Sequence, residues 1–159
     1  MAMEEAKYIW KNGELVPWAE CTTHVLTHSL HYGSAVFEGM RCYYNEETGK
    51  SFVFRLQDHM ERLVRSAKMC MIDVPYTADE LVAATLETIK ACELPSCYVR
   101  PLVYHGYGQM GVDPTGAPVD VIIACCPGAP TWAKRRLKRA SPPAFLRGAS
   151  VPTTPFLRR

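Results

Sequence analysis

The alternation of apolar and polar positions predicts β-structure at the start of the chain. Residues Tyr8–Val16 form two short apolar runs around an Asn-Gly pair, which favours the two positive φ angles of a type I′ hairpin turn. Residues Ser34–Tyr44 are rich in β-branched and aromatic side chains and are interrupted by Gly39, so we expect a strand with a bend or a close approach of another group to the backbone. Residues Ser51–Arg55 then predict the returning strand of a second hairpin.

The spacing of apolar residues changes to that of helices in the middle of the chain. Residues 57–72 carry apolar side chains at helical intervals, which predicts a first helix. Thr77 and Glu80 have the spacing of a capping box that opens a second helix. Two further strands are predicted at Cys97–His105 and Val119–Cys126, and the last is so apolar that we expect burial on both of its faces.

The order of these elements predicts an α+β fold. Strands come first, two helices follow, and strands return, so we expect a mostly antiparallel sheet with two helices packed on it. The length of 159 residues suits about one domain, and 48% hydrophobic with 21% charged residues is ordinary for a globular protein.

The distribution of charge divides the chain near residue 126. Residues 1–126 hold all 16 acidic and ten of the 18 basic residues, whereas residues 127–159 hold eight basic residues, no acidic residue and six of the 12 prolines. Such a shift marks a boundary, so we predict a folded domain at 1–126 and a basic, proline-rich tail at 127–159.

Three interpretations of this tail are open: an arm for nucleic acid or an anionic membrane, a disordered solvated tail, or sequence that is not native to the gene. We expect no nucleic-acid partner, because the tail has few aromatic residues and its prolines prevent a long recognition helix.

The remaining composition indicates a cytoplasmic protein without a membrane partner. The acidic start lacks the apolar segment of a signal peptide, and no apolar run approaches the roughly 20 residues of a membrane helix. The seven cysteines include no Cys-x-x-Cys pair, which favours buried free thiols over a disulfide scaffold or a zinc site.

Two segments carry residues typical of binding sites. Gly106–Gly111 has the letters of a dinucleotide fingerprint, but Asp113 and Pro114 follow where that fingerprint needs a helix, so we expect a loop between strands. Three histidines lie within residues 24–31, yet no acidic residue lies among them and residues 26–32 look irregular. Structural hydrogen bonds are therefore favoured over a metal site.

Three arginines are candidates for binding an anion. Arg41 and Arg100 lie in predicted strands among apolar neighbours, and Tyr98 is expected on the same strand face as Arg100. A guanidinium fork beside a tyrosine suits a carboxylate, although composition alone favours a salt bridge with an acidic neighbour. Arg62 lies beside the apolar stripe of the first helix, where a solvated helix face is the simpler interpretation. No nucleophile with its base and no carboxylate pair is visible.

A family resemblance adds to this picture over residues 1–126. The motifs that carry it are His28-Ser-Leu-His-Tyr-Gly33, Val36-Phe-Glu-Gly-Met-Arg41, His59-Met-Glu-Arg-Leu63, Tyr98-Val-Arg-Pro-Leu102 and Gly111-Val-Asp-Pro114. In this order they resemble the amino-terminal domain of the branched-chain amino acid aminotransferases, which are class IV, fold-type IV pyridoxal-phosphate enzymes. The second and fourth motifs favour this subgroup over D-amino acid transaminases and aminodeoxychorismate lyases.

The resemblance implies transfer of an amino group between leucine, isoleucine or valine and 2-oxoglutarate through pyridoxal 5'-phosphate. It implies that Arg62 binds the cofactor phosphate. The residues implied to bind substrate are Tyr32, Phe37, Gly39, Arg41, Tyr98, Arg100 and Val112. Of these, Arg100 would bind the distal carboxylate of glutamate, while Tyr32 and Val112 would reach into the neighbouring subunit of a homodimer.

The family also requires a lysine that forms a Schiff base with the cofactor. The lysines at 7, 11, 50, 68, 90, 134 and 138 do not lie in the family's motif for that residue, so we expect no catalytic residue here and no activity from this chain alone. Codons can be chosen for Pro127–Arg135 such that the same nucleotides, read from two bases later, encode Trp-Gly-Ala-Tyr-Leu-Gly-Glu-Glu. That string is the continuation that the family resemblance leads us to expect after residue 126. We therefore favour a frameshift for the tail. The alternative function is a non-enzymatic dimerisation or binding module.

Overall fold

The computed structural model describes residues 4–127, which form seven strands and three α-helices. The strands are β1 (Tyr8–Lys11), β2 (Glu14–Pro17), β3 (Ala35–Phe37), β4 (Met40–Asn45), β5 (Lys50–Val53), β6 (Cys97–His105) and β7 (Val119–Pro127). The helices are α1 (His28–Tyr32), α2 (Leu56–Met69) and α3 (Ala78–Ala91). The predicted α+β fold is thereby confirmed. Of the tail predicted at 127–159, Pro127 is the last residue of β7, and residues 128–159 lie outside the described residues, so the tail stays a prediction.

The sheet is antiparallel at every recorded strand pair, in the order β2-β1-β7-β6-β4-β5. β3 pairs with the far half of β6, where Phe37 lies opposite Leu102, while β4 pairs with its near half. The two residues between β3 and β4 are Glu38 and Gly39, so the bend predicted at Gly39 is confirmed. This bend places the loop between β3 and β4 beside the middle of β6.

The first hairpin has the turn that its sequence predicts. Asn12 and Gly13 both adopt positive φ, at 50° and 103°. The Asn12 side chain also binds across the sheet, because its amide donates to Asp120 at 2.8 Å and its oxygen accepts from the Val121 N–H at 2.8 Å. The turn residue thus fixes β7 beside the β1–β2 hairpin.

Both long helices cover one face of the sheet. α3 packs against β1 and β7, and α2 lies nearer β3. The capping box is present, since the Thr77 hydroxyl accepts from the Glu80 N–H and the Glu80 carboxylate accepts from the Thr77 N–H. α2 ends earlier than predicted because Met71 turns to a positive φ of 57°, and the Ile72 N–H returns to the Ala67 carbonyl.

Two further expectations are corrected. β7 is buried on one face only: Val121, Ile123 and Cys125 are buried, whereas the residues between them are half-buried, because both long helices lie on the same side. Residues 26–32, expected to be irregular, include the short helix α1, which ends at Gly33 in the left-handed conformation. Within residues 4–127, no helix is both long and apolar enough to span a membrane.

Candidate active site

The face of the sheet opposite the long helices gathers five of the predicted substrate residues. Alternation along β6 leaves Tyr98 and Arg100 on the same side, and Arg41 of β4 lies directly opposite Tyr98. The Arg100 guanidinium carbon lies 4.3 Å from the ring centre of Phe37 and 5.2 Å from that of Tyr98. The predicted common face of Tyr98 and Arg100 is confirmed. We call Phe37, Gly39, Arg41, Tyr98 and Arg100 the arginine face.

Both arginines of this face keep donors without partners. The Nε atoms of Arg41 and Arg100 are buried and make no hydrogen bond, and no carboxylate among residues 4–127 forms a salt bridge with either. The alternative of an acidic neighbour is therefore wrong for the described part of the chain. A guanidinium cannot shed its charge, so an unpaired buried donor is costly unless an anion satisfies it.

Gly39 allows the Tyr98 ring to lie against the backbone. A β-carbon at position 39 would stand 2.3 Å from the Tyr98 hydroxyl oxygen and 3.2 Å from the carbon that bears it. Any side chain there would displace the ring. The glycine therefore leaves the space that the Tyr98 hydroxyl occupies.

Arg62 reaches the edge of the arginine face through Glu38. Its Nε and Nη2 donate to the two carboxylate oxygens of Glu38, the second at 2.7 Å, and His59 Nδ1 lies 2.9 Å from the same carboxylate. The hydrogen bond from Arg62, with a smaller one from His59, lowers the pKa of the Glu38 carboxyl to about 2. Glu38 is buried, whereas the Arg62 side chain is 57% exposed, which leaves guanidinium surface open to an anion.

Sequence reasoning missed Glu38 and His59 as parts of this site. His59 and Arg62 are three residues apart on α2, so both face the same neighbour, and Glu38 stands inside the Phe37–Arg41 motif. A buried carboxylate needs a cation, and that requirement could have linked Glu38 to the helix.

Tyr32 and Val112 lie on a different part of the described fold. Tyr32 ends α1 and Val112 belongs to the glycine-rich loop between β6 and β7, and both side chains are exposed. The three nearby histidines make hydrogen bonds: His24 accepts from the Leu26 N–H, His28 bonds Ser34 and Gly111, and His31 bonds the Val25 carbonyl. No helix follows the glycine loop within the described residues, as its sequence predicts.

A cavity of about 320 Å³ lies farther along the same side of the sheet. Leu102 and Tyr104, which follow Arg100 at alternate positions of β6, line it together with Lys11 and residues before α1. The arginine face itself is not among its walls, so the predicted substrate residues form an open surface beside the cavity.

Comparison with known proteins accounts for this arrangement. The family described as amino-transferase class IV matches residues 35–154. The branched-chain-amino-acid aminotransferase of Salmonella typhimurium is 46% identical over 128 residues, which is 80% of this chain and 41% of that protein. The chain thus spans about two fifths of the length of the curated relatives it matches.

Solved structures of branched-chain aminotransferases have a similar fold over the matching residues. A branched-chain amino acid aminotransferase from Escherichia coli aligns with a TM-score of 0.74 at 45% identity, over 79% of this chain and 41% of that one. The branched-chain aminotransferase from Thermoproteus uzoniensis, solved with norvaline, aligns with a TM-score of 0.73 at 45% identity, over 78% and 41%. The chain therefore belongs to the amino-transferase class IV family, and its described residues have the fold of the amino-terminal domain of the branched-chain amino acid aminotransferases.

Proposed function

We propose that residues 4–127 form the small-domain wall of a branched-chain aminotransferase site, which moves an amino group between leucine, isoleucine or valine and 2-oxoglutarate. The observation that carries the proposal is the pair of unpartnered Nε donors of Arg41 and Arg100 beside an apolar ring. A branched-chain amino acid presents one carboxylate and an aliphatic side chain, while 2-oxoglutarate presents two carboxylates. The arginine face offers partners for each of these groups.

The described residues fit pyridoxal phosphate as cofactor. Its phosphate is an anion, and Arg62 offers a half-exposed guanidinium that Glu38 holds in place. When bound, this cofactor acts as the electron sink for the carbanion that transamination requires. The residues of this chain supply charge and position: Arg62 for the phosphate, and Arg41 and Arg100 for substrate carboxylates.

The remaining predicted residues complete the proposal. Phe37, Gly39 and Tyr98 line the substrate pocket, where an aromatic wall suits an aliphatic side chain. Tyr32 and Val112 contact the pocket of a second subunit in a homodimer. This role is supported by the exposure of both side chains, one at the end of α1 and one in the loop between β6 and β7. The seven free thiols support a reducing compartment, the cytoplasm.

We further propose that the 159-residue polypeptide does not transaminate by itself. Of the lysines in the described residues, Lys7 pairs with Glu93 and Lys11 donates to the Thr22 carbonyl. The other three lie at the start of β5 and in the last turns of α2 and α3. None belongs to the arginine face, so none stands where the reacting amine of the substrate would be bound.

The test exchanges domains. Residues 4–127 replace the matching part of the Escherichia coli relative, and the chimera is assayed with leucine and 2-oxoglutarate beside the isolated 159-residue chain. We expect turnover from the chimera and none from the isolated chain. In the chimera, Arg100→Met should raise KM for 2-oxoglutarate at least tenfold, because a charge-assisted hydrogen bond to a carboxylate is worth about 1.5–3 kcal/mol.

Arg65→Met is the matched control, since Arg65 lies exposed on α2, three residues after Arg62. It should leave both KM values unchanged. A chimera that folds and dimerises but has no turnover contradicts the proposed activity and favours the dimerisation module. Equal effects of the two substitutions would show that Arg100 acts through general charge alone.

A further inference from the structure

His28 is a buried residue whose two ring nitrogens are both engaged by other segments. Its side chain is almost fully buried, Nδ1 lies 2.7 Å from the Ser34 hydroxyl, and Nε2 lies 2.8 Å from the Gly111 carbonyl oxygen. The second contact joins residues 83 positions apart. One imidazole therefore connects α1, the residue before β3, and the loop between β6 and β7.

The direction of these hydrogen bonds follows from the acceptor. A carbonyl oxygen only accepts, so the proton of the neutral ring belongs on Nε2. Nδ1 is then an acceptor for the Ser34 hydroxyl proton. A phenylalanine at this position would keep the ring packing and lose both bonds, whereas a glutamine amide could still donate to Gly111.

His28 also holds the other end of the same loop. Its backbone N–H donates to the Gly106 carbonyl at 3.1 Å, so the loop is fixed at its first glycine by the main chain and at Gly111 by the side chain. Gly108 and Gly111 have φ of 146° and 140°, in the region that favours glycine, and glycine, which has no β-carbon, can also adopt many other backbone conformations. The histidine restricts a segment that its own sequence leaves free.

Both segments joined in this way present apolar side chains to solvent. The Tyr32 ring packs 4.6 Å from the His28 ring and is 43% exposed, while Val112 directly follows Gly111 and is 86% exposed. Leu30 of α1 and Met110 of the loop are also exposed. An apolar surface built from two segments binds a partner well only if the relative position of the two segments is fixed before binding.

We infer that His28 is the positioning residue that sets Tyr32 and Val112 relative to each other, so that both enter the neighbouring subunit's substrate pocket as one rigid unit. The inference rests on the proposed function for the destination of these two side chains. We call the hydrogen bonds of His28 to Ser34, Gly106 and Gly111 the clamp, and the clamp rests only on these contacts. His31 is the matched control, because it lies on the same short helix and bonds a carbonyl near its own segment.

The clamp is tested in the 159-residue chain labelled with ¹⁵N. The ring shifts of His28 should report the Nε2–H tautomer. In His28→Phe, the backbone ¹⁵N order parameters of residues 107–112 should fall from rigid values of about 0.85 to about 0.6 or less, with those of β6 and β7 unchanged. His28→Gln should recover most of the lost order, and His31→Phe should have no effect on the loop.

The destination is tested in the chimera with the Escherichia coli relative. His28→Phe should raise KM for leucine several-fold with kcat nearly unchanged, and His28→Gln should restore it. An Nδ1–H tautomer, or unchanged loop order parameters in His28→Phe, overturns the clamp even if that variant is less stable. Lower loop order parameters with unchanged KM overturn the proposed contact with the neighbouring subunit and leave the clamp. A chimera with native His28 and no turnover contradicts the proposed function alone.

Discussion

The two faces of the sheet are made by the same strands but differ in the side chains that they carry. On the helix-covered face, Val99, Val103, Val121 and Ile123 have no exposed surface. Arg100 follows Val99 in the sequence of β6, but its side chain lies on the other face of the sheet. Its Nε is buried and has no partner among the described residues. Because side chains alternate along a strand, the nine residues of β6 contribute both to the core and to the proposed substrate site.

The difference lies in how each face satisfies its groups. The side chains of the helix-covered face are apolar, so they need only close packing, which the two long helices provide. The arginine face is not satisfied internally, because the buried Nε donors of Arg41 and Arg100 have no partner among the described residues. The groups that stabilise the fold therefore lie on one side of the sheet, and the proposed substrate site lies on the other.

Two adjacent isoleucines of β7 give the largest test of this difference. Ile123 is fully buried on the helix-covered face, and Ile122 is half-buried on the opposite face. We expect Ile123→Ala to lower the free energy of unfolding by about 2–5 kcal/mol, since it leaves a cavity, and Ile122→Ala to lower it by about 1 kcal/mol. Urea unfolding of both variants measures this. Equal losses would remove the distinction between the faces.

Glu38 lies at the boundary between the two faces and gives a smaller effect. Its pKa in the folded chain is about 2, below the ordinary 4.5, because Arg62 donates to it. A lowered folded pKa stabilises the fold above the unfolded value, so this contribution is present above about pH 4.5 and is lost as the pH falls towards 2. Glu38→Gln should cost about 2 kcal/mol at pH 7.

The matched control is Glu87→Gln, at an exposed position of α3. Urea midpoints measured from pH 7 to pH 2.5 should show Glu38→Gln converging on the unsubstituted chain at the acid end, while Glu87→Gln runs parallel to it throughout. A constant difference between Glu38→Gln and the unsubstituted chain would mean that packing, not the Arg62 hydrogen bonds, accounts for the loss.

The sequence predicts the helix-covered face better than the arginine face. Local patterns locate several elements: apolar periodicity gives the strands, the Thr77/Glu80 spacing gives the capping box, and the Asn-Gly pair gives the turn, because each depends on residues close together in the chain. Periodicity mistakes β7 for a strand buried on both faces, since an apolar run does not reveal that Ile122 lies away from the helices.

The site depends on contacts that local patterns do not contain. Arg41 and Arg100 could be placed on strands, but only the fold shows that no described carboxylate pairs with them. The link from Arg62 to Glu38 crosses 24 residues, and that from His28 to Gly111 crosses 83. Such pairings follow from strand order, which the sequence pattern leaves undetermined.

Arg100→Met gives the smallest change in stability and the sharpest contrast with Ile123→Ala. It removes an unpartnered buried donor, which favours the fold, and a contact of the cation with the Phe37 ring, which opposes it at about 0.5–1 kcal/mol. We expect the free energy of unfolding to stay within about 1 kcal/mol of the unsubstituted chain, on the stabilising side, by urea denaturation. Arg65→Met on the exposed side of α2 controls for net charge. A loss of stability comparable to that of Ile123→Ala would show that Arg100 supports the fold, and that the arginine face is a second core and not a receptor.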